Sequence, residues 1–299
     1  MQASATIGAQ QGSRRERLNP RCLPAALLLV LSLTSCASRP EHVEIVPSIP
    51  TGAAAGSSRT ARYEAALASV LDVLESEVGL PRVEVALVLF PNRRAFKQGL
   101  LQIGYPESLA RSASSFNAIG GARAVLVNAE LVDRLPRARR IQLLAHEVVH
   151  TVQYHFSGGT RGTSEQWLRE GFADWVACRV AAGLGFGSFE TLRAELLERL
   201  AGAPVALSPA PFEKLATFPQ WVEAQGRYDA PLYVQAFLAA ELLIELHGVP
   251  AVIRYFELFK NSQDRERAFR ETFGVDRASF ARQFMRRWRE TLVQVGGQR

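Results

Sequence analysis

The pattern of apolar and polar positions divides the chain into three stretches. Leu23 to Leu33 is a mainly apolar run that follows Arg14, Arg15, Arg17 and Arg21. From Ala37 to Arg59 the residues turn to Ser, Pro, Ala and Gly with no helical or strand period, which predicts a flexible tether. Periodicity returns at residue 60. Ala61 to Val78 predicts a helix, and Val83 to Phe90 and Arg123 to Asn128 predict strands, the second entered through a Gly120-Gly121 turn. Beyond Pro136 nearly everything carries the helical period. Ile141, Leu144, Ala145, Val148, Val149 and Val152 make one helix apolar on most faces, so it is expected to be buried. Phe280, Phe284, Trp288 and Leu292, four residues apart, predict an amphipathic helix that docks an aromatic stripe on the domain. The fold class expected is α+β: a small N-terminal α/β portion, then a mainly helical lobe. The stretch 60–299 is long enough for one substantial domain, and no internal repeat interrupts it.

The Leu23–Leu33 run is too short to span a bilayer and reads as the core of a signal peptide covering 1–35. It ends in Leu33-Thr34-Ser35-Cys36, which resembles the bacterial lipobox. That resemblance implies cleavage before Cys36, lipid on its thiol and a tether over 36–59. An ordinary signal peptide cut nearby is the other reading. Ser13-Arg14-Arg15 is similar to a twin-arginine signal, but Arg17 and Asn19 depart from it, which favours the general secretory route. The expected location is the cell envelope, anchored by lipid, with Ala37 after the cysteine resembling an outer-membrane sorting signal. Of the three cysteines, processing would leave Cys178 as the sole unmodified thiol, so no intramolecular disulfide is expected; Cys178 reads as a small buried apolar residue. The formal charge is +6, of which four Arg and one Glu before Cys36 supply +3, leaving +3. Arg277, Arg282, Arg286, Arg287 and Arg289 read as a solvated face, with anionic lipid headgroups as the alternative contact. Nothing suggests nucleic acid as a partner.

The buried helical pattern contains His146-Glu147-Val148-Val149-His150, a H-E-x-x-H arrangement. Histidines four apart share one helix face, so both imidazoles reach one metal ion while the glutamate between them projects beside it. A Zn²⁺ ion there would lower the pKa of water to about 7, and Glu147 is the candidate general base. A catalytic zinc usually has a third protein ligand. Downstream, Trp167-Leu168-Arg169-Glu170-Gly171-Phe172-Ala173-Asp174-Trp175 supplies Glu170, with Asp174 one turn later placed to accept a hydrogen bond from a ligand histidine. Gly158, Gly159 and Gly162 predict a reversal between the helices, and Thr163 with Gln166 predicts a capping box at the start of the second.

These segments resemble the gluzincin metallopeptidases, in particular the peptidase-MA-like group, whose ligand glutamate sits in a W-L-x-E-G-x-A segment. The likeness covers the two active-site helices well, the later helices loosely and the N-terminal segment hardly at all. It implies His146, His150 and Glu170 as zinc ligands and Glu147 as base. His155 lacks the glycine and the spacing of a metzincin third ligand and reads as structural. Tyr233, on a helix similar to one that carries a tyrosine in that family, is the candidate oxyanion donor, with a core aromatic as the alternative and Tyr228 as second choice. Glu241 reads as solvated or salt-bridged.

Three functions are compatible with these residues. One is a surface-tethered zinc metallopeptidase acting on a peptide or protein, with the metal in a cleft between the portions and an edge strand aligning the substrate. Another is a non-proteolytic zinc hydrolase acting on an envelope amide. The third is a non-enzymatic lipoprotein that keeps the scaffold for binding.

Overall fold

The computed structural model describes residues 44–47 and 58–296, apart from positions 115, 202, 205, 206, 226 and 229. The expected signal segment, Cys36 and most of the expected tether lie outside the described residues. One part of the tether does not: Glu44–Pro47 forms strand β1, paired antiparallel with Ala86–Phe90 (β2). Four residues are too few to show a period, and only the partner strand gives their backbone groups a ladder.

Helix α1 (Ser58–Val73) runs into a π-helical turn at Leu74–Val78, so the predicted helix is present but its last turn is widened. After β2 come α2 (Arg93–Gln102), α3 (Glu107–Ala113), β3 (Ala118–Gly120), β4 (Ala124–Asn128) and the short α4 (Ala129–Val132). The sheet order is β1-β2-β4-β3, with β2 parallel to β4 and β3 antiparallel to β4. Pairing between β2 and β4 explains their near-continuous apolar sequences, since both faces are covered. Leu87, Leu89, Val125 and Val127 face the main core, while Val88, Phe90 and Leu126 pack with Phe96 and Leu100 of α2.

The rest is helical: α5 (Arg137–Phe156), α6 (Gln166–Gly183), α7 (Phe189–Leu197), α8 (Phe218–Ala224), α9 (Leu232–His247), α10 (Val249–Glu257), α11 (Arg265–Phe273) and α12 (Arg277–Gly296). The molecule is therefore an α+β fold with a helical lobe. Helix α6 is the hub of that lobe, packed against α5 on one side and α9 on the other. Its contact with α9 is so close that a Cβ at Gly171 would lie 1.9 Å from the Ala236 carbonyl oxygen. A glycine at this point lets the two helices approach backbone to backbone.

The expected Thr163–Gln166 capping box does not form. Helix α6 starts at Gln166 without a side-chain cap, and its first two N–H groups are instead met by the carbonyls of Ala216 and Leu215, at 3.0 and 3.1 Å. A neighbouring chain segment has taken the cap's role, which frees Gln166 for the site; a true capping box occurs at Thr217 and Gln220, at the start of α8. Glu165, just before α6, is buried and ion-paired to Arg277 of α12 at 2.7 Å, while Trp167 Nε1 donates to its carboxylate. Phe280, Phe284, Trp288 and Leu292 are all buried, as their spacing predicts. The arginines of α12 are not uniformly solvated, since Arg287 also pairs with Glu245.

Candidate metal centre

Helix α5 places His146 and His150 on one face, one turn apart, with both rings buried. The chain reverses through Gly158, Gly159 and Gly162, all with positive φ, and α6 returns antiparallel, so that His150 meets Glu170 and His146 meets Asp174. The Nε2 atoms of the two histidines are 3.1 Å apart. Glu170 closes the triangle, with Oε2 at 3.3 Å from His146 Nε2 and Oε1 at 3.6 Å from His150 Nε2. Three ligands about 2.0–2.1 Å from a tetrahedral ion stand roughly 3.3 Å from one another, so the triangle has the size of three corners of such a site.

Each imidazole is oriented by a partner on its far side. Asp174 Oδ1 lies 2.7 Å from His146 Nδ1. Gln153 Oε1 lies 2.9 Å from His150 Nδ1, and the Gln153 amide N–H donates to the Arg169 carbonyl at 3.0 Å. A carbonyl only accepts, which fixes the amide's orientation and makes Nδ1 of His150 the donor. With both Nδ1 atoms turned to acceptors, the two Nε2 lone pairs point at one another, an arrangement that requires a proton or a cation between them. His146, His150 and Glu170 thus form a group that could hold a metal ion.

The electrostatics agree. Burial pulls the His146 imidazole down, but Asp174, then Glu170 and Glu147, outweigh it and hold the ring well above the ordinary histidine range. Burial pushes Glu170 up, yet the two histidines hold it well below the usual carboxylate range. At Glu147 burial prevails over the attraction of the histidines, and the carboxyl is raised. Three buried or half-buried carboxylates around two imidazoles leave negative charge that a cation would balance.

Glu147 is held from the sheet side. Strand β3 packs so tightly on α5 that a Cβ at Gly120 would lie 2.3 Å from the Glu147 carbonyl oxygen, and the Gly120 N–H donates to Glu147 Oε2 at 2.5 Å. Gln166 Nε2 donates to Glu170 Oε1 at 2.5 Å, and Arg161 in turn donates to Gln166 Oε1 at 2.7 Å. Gly120, Gln153 and Gln166 are site residues that sequence reading missed. Spacing held a signal for two of them: Gln153 follows His150 by three residues and Gln166 precedes Glu170 by four, both same-face separations on a helix.

The six expected site residues within the described chain, His146, Glu147, His150, Glu170, Asp174 and Tyr233, all line one cleft of about 620 Å³. Tyr233 lies with its ring centroid 6.4 Å from that of His146 and edge-on to Trp221 at 5.2 Å. Burial first, then the Glu170 charge, raise its hydroxyl well above the ordinary tyrosine range, so it stays a donor. Tyr228 packs against the core instead of lining the cleft. His155 is exposed and outside the ligand group. Cys178 is buried at the cleft wall, where burial pushes its thiol up to about 12, in keeping with a small apolar role. Glu241 is salt-bridged, with Arg193 donating to both carboxylate oxygens at 2.7 and 2.8 Å.

Comparisons with known proteins add little. No protein-family model matches the chain, and no solved structure does. The uncharacterized protein YhcO of Bacillus subtilis (strain 168) is 23% identical over 129 residues, 43% of this chain and 34% of that protein. The chain therefore matches about a third of its relative's length, and the relative's name carries no activity.

Proposed function

We propose that this chain is a zinc-dependent metallopeptidase of the gluzincin type. The observation that carries this reading is the buried triangle of His146, His150 and Glu170, with Glu147 beside it in the same cleft. Two imidazoles and one carboxylate suit zinc better than the all-oxygen sets preferred by magnesium or calcium. When bound, zinc would supply a Lewis acid that polarises the scissile carbonyl and acidifies water. The chain's own groups do the rest. Glu147, with Oε2 tied to Gly120, takes the proton of the attacking water at Oε1 and passes it to the leaving amine. The Tyr233 hydroxyl donates to the oxygen on which negative charge develops. Strand β3, at the sheet edge and lining the cleft, offers main-chain groups to an extended peptide.

The test is zinc stoichiometry of the chain, followed by digestion of a broad peptide library. One zinc per chain, lost in His150→Ala, and cleavage abolished by a chelator support the reading. Full zinc occupancy in His150→Ala removes the ligand assignment, and an uncleaved library removes the peptidase.

For the N-terminal region we propose export to the bacterial cell envelope and lipid attachment at Cys36, on the sequence pattern alone. Among the described residues no single helix is long and apolar enough to cross a membrane. Labelled fatty acid should enter the wild-type chain and not Cys36→Ser; an unlabelled wild-type chain removes the anchor.

A further inference from the structure

The charges along the cleft that do not belong to the metal centre are all positive: Arg139, Arg161 and Arg199. Arg139 is paired with Glu195 at 3.2 Å. Arg161 is different. It stands on the loop between α5 and α6, with its guanidinium 4.6 Å over the ring of Phe218 and one N–H spent on Gln166. No carboxylate ion-pairs with it among the described residues. Behind it lies Arg169, fully buried, whose Nη1 bonds only neutral oxygens, those of the Arg161 carbonyl and Ser164, and whose Nε finds no partner. Tyr105, which follows α2, also lines the cleft and is near enough to Arg161 to feel its charge.

Two adjacent guanidinium groups, neither ion-paired to a carboxylate among the described residues and one of them stacked in place at a cleft, are a site built for an anion. A guanidinium has five N–H donors in a planar fork that matches a carboxylate, and a ring beneath it limits the entropy lost on binding.

On the reading of this cleft as a peptidase site, we infer that Arg161, with Tyr105, receives a carboxylate of the substrate close to the scissile bond. The distance follows from the chain of contacts. Arg161 is one glutamine amide away from the ligand Glu170, and a peptide residue spans about 3.3–3.6 Å, so the carboxylate lies within about two residues of the reacting carbonyl. It belongs either to an Asp or Glu side chain or to the chain terminus.

Zinc-loaded full-length protein should be given peptide pairs that differ only in Glu against Gln near the cleavage point, and pairs that differ only in a free against an amidated C-terminus. The readout is the ratio of kcat/KM within each pair, which cancels any general loss. We expect the wild type to prefer the carboxylate in one of the two pairings by about tenfold or more, which identifies its source, and Arg161→Gln to bring that ratio near one. Arg161→Lys, which keeps the charge without the fork, should keep part of the ratio and serves if Arg161→Gln does not fold. A wild-type ratio near one in both pairings overturns the inference, as does an unchanged ratio in Arg161→Gln with both substrates slowed, the mark of a residue that acts only through Gln166 and Glu170. If no peptide is cleaved at all, the peptidase reading fails separately. The same acid and amide pairs are then measured by calorimetry, where preferential binding of the acid that depends on Arg161 supports the site and equal binding removes it.

Discussion

The backbone N–H of Gly120 reaches Glu147 Oε2 at 2.5 Å, so the edge strand of the sheet holds the carboxyl group that lies beside the two histidines. One oxygen of Glu147 is thereby committed to position and the other is left for a proton. Glu147→Gln preserves an acceptor for Gly120 but cannot take up a proton. We expect metal content and unfolding temperature close to wild type, with kcat lowered by about 10²–10⁴-fold, the usual contribution of a general base. Metal analysis and peptide turnover on the same preparation check this; a variant with full turnover removes the catalytic role of Glu147.

Gln153 and Asp174 hold the outer nitrogens of the two histidines that could bind a metal ion. Gln153→Ala and Asp174→Asn should each weaken metal affinity by about 10–100-fold without preventing folding. Competition against a chromophoric chelator measures it. Equal affinity in Gln153→Ala would mean that helix packing alone orients His150.

Gly171 marks the place where α6 and α9 touch. Gly171→Ala puts a methyl group 1.9 Å from the Ala236 carbonyl oxygen, which forces the helices apart and should cost about 1–3 kcal/mol of stability, with a lower denaturant midpoint. Gly296→Ala, where nothing lies within 4 Å of the added carbon, is the control and should be nearly neutral.

Metal affinity should depend on pH with a predictable sign. Without metal, Asp174 holds His146 well above the ordinary histidine range against the pull of burial, which favours the protonated ring. Metal must displace that proton. Apparent affinity should therefore rise with pH, by about tenfold per unit below the His146 pKa, and binding at pH 7 should release a proton into the buffer. Titrations at pH 6 and 7 in weakly buffered solution read both; equal affinity at the two values would show His146 already deprotonated.

The residues that sequence alone brought together are those related by helix geometry. His146, Glu147 and His150 sit within one turn and a third of a single helix, and Glu170 and Asp174 are one turn apart on the next, so a repeat of 3.6 residues places each set on a face regardless of what surrounds it. The helical lobe and the aromatic stripe of α12 were legible because their apolar periods are local, and β2 and β4 because each is a short β-branched, apolar run. What the sequence could not specify are contacts made at closest packing. The N–H that steadies Glu147 comes from 27 residues upstream, the carbonyls that cap α6 from the segment before α8, and the acceptor that turns Gln153 toward His150 from the backbone of Arg169. β1 and β3 have four and three residues and exist as strands only because a neighbour completes their ladder. Hydrogen bonds between elements depend on the separation and rotation of packed surfaces, which no periodicity along one segment encodes, and so the His146, His150 and Glu170 group could be read from the chain while Gln153, Gln166 and Gly120 joined it only in the fold.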